Sequence, residues 1–154
     1  MGKNIDLDQA RAMHERARAA GLHTHTYWLV GSPFETRETA ARTIRTMRQW
    51  LASGLSSGAE INLLVGYPGT RFYGEAERYH ITWQEPDFSR YDGRNSPTYE
   101  TRELGRRDLE YLFQRAMVEY CEALAGVIGS RDEVLGRLGE RMPDFDPAVM
   151  EAVF

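Results

Sequence analysis

The 154-residue chain carries 19 Lys and Arg against 23 Asp and Glu, a formal net charge of −4 at pH 7. This acidic balance argues against nucleic acid as a partner, and no apolar run approaches the roughly 20 residues of a membrane span. No signal peptide is visible, so a cytoplasmic protein is expected. The one cysteine, Cys121, excludes an internal disulfide and a cysteine-only metal site, and its inward helical position is typical of core filling.

The chain begins with a predicted helix over residues 6–20 and a strand over residues 22–30. Asp6 is the expected N-cap, Ile5 a hydrophobic staple and Gly21 the stop, and the helical stripe consists of Ala10, Met13, Ala17 and Ala20. Both alternating faces of the strand carry bulky side chains. This pattern predicts a parallel strand that is covered on both faces.

A Gly/Pro turn at residues 31–35 precedes a predicted helix over 37–53, which Thr36 caps. Its inward positions follow a period of 3.6 and are Ala40, Ile44, Met47 and Leu51. A second strand over 61–65, a second turn over 66–69 and a helix over 71–79 capped by Thr70 follow. Strands joined through a helix are expected to be parallel, so both turns should meet at the strands' carboxyl ends, where α/β proteins bind ligands.

The second half of the chain is predicted to be a loop, a long helix and a tail. Residues 80–101 are rich in aromatic side chains without periodicity, which indicates an ordered loop across the core. A helix over about 106–125 should be closed by Gly126 and Gly129. Its inward residues are Leu109, Leu112, Phe113, Ala116, Met117, Tyr120 and Leu124. Three segments result: residues 1–80, residues 81–129 and a peripheral helical tail at 130–154.

Several polar side chains have two interpretations. His23 and His25 are two apart on one strand face and could ligate a metal, but no third ligand lies at useful spacing, which favours lumen-lining or hydrogen-bonded histidines. His14 and His80 are expected at the surface. An acidic group formed by Glu85, Asp87 and Asp92 is either catalytic or caps turns, and capping is favoured.

The two turns carry a resemblance to a known family. The stretch ARAAGLHTHTYWLVGSPFET resembles an aliphatic strand that ends in a G-x-P-G-E-T turn, and INLLVGYPGT followed by Arg71-Phe72-Tyr73 is similar to a P-Y-P-G-T-x-L-Y segment. Together they resemble the C-terminal half of radical S-adenosylmethionine (radical SAM) enzymes, most closely members with an upstream cobalamin-binding domain. The resemblance covers about residues 1–125. Phe34 and Gly66 depart from it, standing where the family has glycine and proline.

The resemblance implies a part of an S-adenosylmethionine site. The end of the first strand (Leu29, Val30, Gly31) would line the adenosine, and the end of the second (Leu64, Val65 and on to Tyr67) would meet the adenine. Glu35 would fix its turn. The 4Fe–4S cluster of the family, held by a CxxxCxxC motif, cannot be built by this chain, and cobalamin is implied only by the family.

The expected fold is therefore α/β, a fragment of a partial (β/α) barrel with two parallel strands, flanking helices and a helical C-terminal extension. We expect a truncated or split enzyme that is inactive alone and needs the missing N-terminal barrel half, in the same polypeptide or a separate subunit, to act on a small-molecule substrate. The alternative is a non-catalytic module that docks a cluster-bearing subunit through the strand face carrying His25, Tyr27 and Leu29. A third hypothesis is a phosphate or nucleotide binder at the helix starts of Thr36 or Thr70.

Overall fold

The computed structural model describes residues 4–83, 85–93 and 97–128, so Gly129 and the predicted tail lie outside the described residues. It is a mixed α/β fold with two parallel strands and flanking helices, as predicted. Its elements are α1 (Leu7–Ala19), β1 (His25–Val30), α2 (Arg37–Ala52), β2 (Gly58–Leu63), α3 (Arg71–Gly74), β3 (Thr82–Trp83), a 3-10 turn (Phe88–Arg90), β4 (Tyr99–Glu100) and α4 (Arg106–Ile128).

Strands β1 and β2 are parallel and joined through α2, with His25 opposite Gly58 and Val30 opposite Leu63. β1 begins three residues later than the predicted range 22–30, and β2 begins and ends earlier than the predicted range 61–65. The N–H groups of Leu55 and Ser56 still donate to the Trp50 carbonyl at the end of α2, and the Ser57 N–H then donates to the Thr24 carbonyl. The chain therefore comes alongside β1 directly after it leaves α2, which extends β2 toward its amino end.

The core lies between one face of this sheet and the helices α2 and α4. All four inward positions predicted for α2 are buried. Of those predicted for α4, Leu109, Leu112, Phe113, Ala116 and Met117 are buried, while Tyr120 and Leu124 are half-buried. Ion pairs of Arg37 with Asp108 and of Arg48 with Glu119 connect the outer edges of the two helices.

Cys121 belongs to this core, as the sequence indicated. Only 2% of the residue is exposed. Its thiol donates a hydrogen bond to the Met117 carbonyl at 2.7 Å, and burial raises its pKa to about 12. The thiol is therefore a protonated packing group.

The bulk on both sides of β1 predicted a strand covered on both faces, but this chain covers only one of them, and the uncovered face is the one that carries His25, Tyr27 and Leu29, expected from the sequence as the docking face. Thr26 and Val30 point into the core, but Tyr27 is 75% exposed and His25 is exposed. We name the exposed side of the sheet the open face. It consists of His25, Tyr27 and Leu29 from β1 and of Glu60 and Asn62 from β2.

Helix α1 starts as predicted but packs differently. The Asp6 carboxylate accepts hydrogen bonds from the N–H groups of Asp8 and Gln9, and Gly21 follows the helix with φ +72°. None of its residues is buried, however, and Met13 of the predicted stripe is 61% exposed. His14, expected at the surface, instead lies 2.9 Å (Nδ1) from the Thr24 hydroxyl, with its ring against Trp50.

Two helix boundaries and one loop also differ from the predictions. Helix α3 ends at Gly74 instead of residue 79, and turns continue to His80. Gly126 lies inside α4, which runs on to Ile128. The predicted loop 80–101 contains the antiparallel pair β3–β4, with Trp83 opposite Tyr99. Strands of two residues are too short to produce a visible alternation, so the sequence did not indicate them.

Candidate functional site

The two Gly/Pro turns lie side by side at the carboxyl ends of β1 and β2. The parallel ladder continues past the strands, since the Leu64 N–H donates to the Val30 carbonyl at 2.9 Å. The turn after β1 and the turn after β2 therefore leave the same edge of the sheet. This is the arrangement expected from a strand–helix–strand unit.

Glu35 holds the first turn together. Its carboxylate accepts hydrogen bonds from the Gly31 N–H at 2.5 Å and the Ser32 N–H at 3.2 Å. The Glu35 N–H in turn donates to the Ser32 carbonyl at 3.0 Å. Burial raises the pKa of this carboxyl group, against the opposing effect of the two amide hydrogen bonds. The side chain thus fixes the turn, which is the role that the resemblance implied.

Tyr99 holds the same turn from the other side, and the sequence did not single it out. Its hydroxyl donates to the Gly31 carbonyl at 2.6 Å, and the residue is 2% exposed. Burial raises its pKa, and the charge of Glu35 adds to the effect. No local pattern could have revealed this contact, because the two residues are separated by 68 positions and Tyr99 lies in the segment without periodicity.

Gly31 occupies a position that only glycine fits. Its φ is +83°, in the left-handed region that side chains disfavour. An added Cβ would lie 2.9 Å from Leu109 Cδ2 and 3.2 Å from the Tyr99 hydroxyl. The Gly31 backbone at the end of β1 is therefore packed closely against Leu109 and Tyr99, and both its N–H and its carbonyl are hydrogen-bonded.

Phe34 also adopts a left-handed conformation, with φ +66°. This is the position where the family pattern has glycine. The ring is 65% exposed, and its centroid is 6.3 Å from those of Tyr79 and His80. The next residue but one, Thr36, forms a capping box with Thr39 and so acts as the N-cap of α2.

The predicted ligand-contact residues fall into two groups. Val30 is fully buried and Leu64 is 8% exposed, and both belong to the core. Their side chains therefore face away from any ligand. Leu29 and Val65 are half-buried, and Tyr67 is 51% exposed with its hydroxyl donating to the Tyr91 carbonyl at 2.7 Å. These three side chains remain available at the strand ends.

The segment 85–93 lies along the outer edge of β2 beside the site. The Leu63 N–H donates to the Gly93 carbonyl at 2.8 Å. Gly93 has φ +71°, and a Cβ there would lie 3.2 Å from Val65 Cγ2. Phe88 and Tyr91 pack on each other with ring centroids 5.1 Å apart, and Tyr67 joins them at 6.4 Å from Tyr91. The predicted ordered loop thus forms a side of the site.

Two members of the acidic group, Glu85 and Asp87, cap turns, as favoured from the sequence. The Asp87 carboxylate accepts a hydrogen bond from the Ser89 N–H at 2.9 Å, and hydrogen bonding to Ser89 lowers its pKa. Glu85 accepts from the Asp87 N–H and pairs with Arg90, both at 3.1 Å. Asp92 is exposed. These contacts account for Glu85 and Asp87 without catalysis.

His23 and His25 contact a neighbouring hydroxyl group and a neighbouring aromatic ring. His23 Nδ1 lies 3.3 Å from the Ser57 hydroxyl, and the His25 ring lies 5.2 Å from that of Tyr27. His80 is exposed, as expected. Within residues 4–83, 85–93 and 97–128, no three His, Cys, Asp or Glu side chains come together in a way that could hold a metal ion.

Comparison with known protein families and with curated proteins finds no match for this chain. Among the helices of the described residues, none is both long and apolar enough to cross a membrane.

Proposed function

We propose that this chain supplies one side of the adenosine pocket of a radical SAM enzyme of the cobalamin-associated type, as part of a (β/α) barrel. The observation that carries the proposal is the parallel ladder between β1 and β2. It sets side by side the two turns whose residues resemble the family, with Val30 opposite Leu63 and the Leu64 N–H on the Val30 carbonyl. Ligands of α/β proteins bind at this edge.

The backbone of the first turn supports the proposal. The family pattern has glycine at the positions of Gly31 and Phe34, and both residues have positive φ here, +83° and +66°. A phenylalanine in this region is strained by about 1–2 kcal/mol relative to glycine. The turn therefore keeps a glycine conformation even where the glycine has been replaced.

The available side chains suit a flat aromatic ring. Leu29, Val65 and Tyr67 offer apolar contact at the strand ends, and their neighbours Val30 and Leu64 hold them in place from the core. Glu35 already accepts two backbone hydrogen bonds and acts as a positioning residue, not a catalytic one. The chain's own contribution is to bind and orient the adenosine.

The residues of this chain do not fit the iron–sulfur cluster that the family uses. Such a cluster needs three thiolates, and the only cysteine is buried, hydrogen-bonded to Met117 and protonated. The cluster, whose bound form supplies the electron for S-adenosylmethionine cleavage, would have to be ligated outside this sequence. By itself the chain is expected to be inactive.

The second candidate is a non-catalytic module that docks a cluster-bearing subunit. It is favoured by the open face, where Tyr27 is 75% exposed and His25 is exposed. An exposed strand with aromatic side chains is a site where another chain can add. In both candidates the missing barrel half would occupy this face.

The DNA next to the coding sequence separates the candidates. An in-frame CxxxCxxC upstream of Met1 supports a truncated enzyme, and a separate adjacent gene that encodes this motif supports a split enzyme. If neither is found, the fragment proposal is contradicted and a stand-alone module or a relic is favoured.

Where the cluster-bearing part is found, production of 5′-deoxyadenosine by the anaerobically reconstituted assembly tests the pocket. Val65→Arg should lower the rate by about 100-fold, because a charge replaces apolar contact with the adenine. Ala52→Arg, at the exposed end of α2, is the matched control and should retain the wild-type rate. Equal rates for the two variants would show that Val65 does not line the pocket.

A further inference from the structure

The segment from β3 to β4 reaches the strand ends at two points. The Gly93 carbonyl accepts the Leu63 N–H at the outer edge of β2, and the Tyr99 hydroxyl donates to the Gly31 carbonyl at the end of β1. The same segment therefore holds both strand ends. Of the two contacts, the one from Tyr99 is made by a side chain and can be removed without changing the backbone.

We infer that Tyr99 is a positioning residue of the proposed pocket, and this inference rests on the proposed function. Tyr99 does not contact a ligand at the strand ends, because the residue is 2% exposed and lies on the core side of Gly31. It acts through the Gly31 peptide. The Gly31 N–H donates to Glu35, and the Gly31 carbonyl accepts a hydrogen bond from Tyr99. These two bonds fix the orientation of the Gly31 peptide, and with it the orientation of Leu29 and of the turn toward the ligand.

The packing around Gly31 makes this role specific to the hydroxyl group. Leu109 Cδ2 fills the space where a Gly31 side chain would be, so the backbone cannot move toward the core. Without the Tyr99 hydroxyl, the Gly31 carbonyl loses this buried donor, while the Glu35 carboxylate still accepts the Gly31 and Ser32 N–H groups. A Tyr99→Phe variant keeps the ring and removes the hydroxyl that makes this bond.

Ser56 provides a matched control at the opposite end of the sheet. Its hydroxyl donates to the Gly58 carbonyl at 2.6 Å, and the residue is 2% exposed. Ser56→Ala therefore removes a buried hydroxyl-to-glycine-carbonyl bond of the same length at the amino ends of the strands, together with the weaker contacts of this hydroxyl to Thr26 Oγ1 and the Thr24 carbonyl. Any effect of general destabilisation appears in both variants.

The test uses the full chain and amide hydrogen exchange measured by NMR. In Tyr99→Phe, we expect the Gly31 and Ser32 amides to exchange about tenfold faster than in Ser56→Ala at equal global stability. Equal exchange in the two variants would overturn the inference, because the hydroxyl would then have only a general stabilising role.

A titration with millimolar S-adenosylmethionine then separates this inference from the function on which it rests. We expect shifts of the amides of residues 29–31 and 64–67, with an affinity about tenfold lower in Tyr99→Phe and unchanged in Ser56→Ala. Equal affinity in both variants contradicts the ligand-positioning role. If the wild-type chain shows no shifts, the variants are compared by 5′-deoxyadenosine production in the reconstituted assembly, where equal rates in Tyr99→Phe and Ser56→Ala contradict the ligand-positioning role. Absence of 5′-deoxyadenosine from the wild-type assembly contradicts the proposed function, while the exchange result still decides whether Tyr99 orients the turn.

Discussion

The two ends of the β1–β2 sheet are held by the same kind of hydrogen bond but differ in the charge and the backbone conformation around it. At each end a buried hydroxyl donates to a glycine carbonyl at 2.6 Å, from Ser56 to Gly58 at the amino end and from Tyr99 to Gly31 at the carboxyl end. At the amino end the neighbouring bond is also made by neutral groups, since the Trp28 indole N–H donates to Thr26 Oγ1 at 2.9 Å. The carboxyl end contains the half-buried carboxylate of Glu35 instead.

The carboxyl end also carries the strain. Gly31 and Phe34 both have positive φ there, and Gly31 packs tightly on Leu109, whereas at the amino end the hydroxyls of Ser56 and Thr26 lie 3.2 Å apart in a hydrogen-bonded pair. Strained backbone and buried charge cost stability and concentrate at functional sites. The comparison therefore indicates that the amino end serves folding, while the carboxyl end is shaped at some expense of stability, as a ligand site would be.

The largest contrast is expected from adding one methyl group at each end. Gly31→Ala should lower the free energy of unfolding by about 3 kcal/mol, because it combines left-handed strain with a clash against Leu109. Gly58→Ala should change it by less than about 1 kcal/mol, since the nearest atoms belong to the exposed, movable His25 ring. Urea denaturation measures both, and a similar loss at the two ends would remove the contrast.

Removal of the Glu35 side chain should have the next largest effect. Glu35→Ala leaves the Gly31 and Ser32 N–H groups without their acceptor and should cost about 2 kcal/mol, whereas Glu35→Gln keeps an acceptor and should cost less than about 1 kcal/mol at pH 7. Equal losses in the two variants would show that the charge, and not the acceptor, matters.

The pH dependence of the same variants tests the buried charge. The pKa of Glu35 is raised in the folded chain, so the folded state binds its proton more tightly than the unfolded state does. Wild-type stability should therefore fall relative to Glu35→Gln as pH rises from about 4.5 through the folded pKa, and then level off. Unfolding midpoints between pH 4 and pH 8 give this difference, and a slope of the opposite sign would contradict the effect of burial.

A smaller effect is expected at Phe34. Phe34→Gly removes the left-handed strain and the ring, while Phe34→Ala removes the ring alone, so the glycine variant should be the more stable by about 1 kcal/mol. Thermal or urea unfolding of both variants compares them directly. If the Phe34→Ala variant is as stable as Phe34→Gly, residue 34 relaxes to negative φ, and the backbone of the turn is not held in the left-handed conformation.

The smallest effect is the coupling between Glu35 and Tyr99. Both bond to the Gly31 peptide, so the double variant Glu35→Gln/Tyr99→Phe should deviate from additivity by about 0.5–1 kcal/mol. The pair Ser56→Ala/Tyr99→Phe, at opposite ends, should be additive within about 0.3 kcal/mol. Additivity in both cycles would mean that the two side chains act on the turn independently.

Part of the site could be predicted because it depends on neighbours in the chain. Glu35 lies three and four residues from the amides that it binds, and a Gly/Pro turn after an apolar run is visible in the sequence. Tyr99 and Gly93 could not be found in this way. Their contacts join residues 68 and 30 positions apart, and the segment that carries them has no periodicity.

The sequence by itself determined the types of the main elements, the parallel strand–helix–strand unit, the buried positions of α2 and the caps Asp6 and Thr36. These follow from periodicity and from hydrogen bonds within a few residues. Only the tertiary structure decided the strand register, the loose packing of α1 and the bond from Tyr99 to Gly31. Those depend on which distant segments meet, because burial and pairing are properties of both partners and not of either stretch alone.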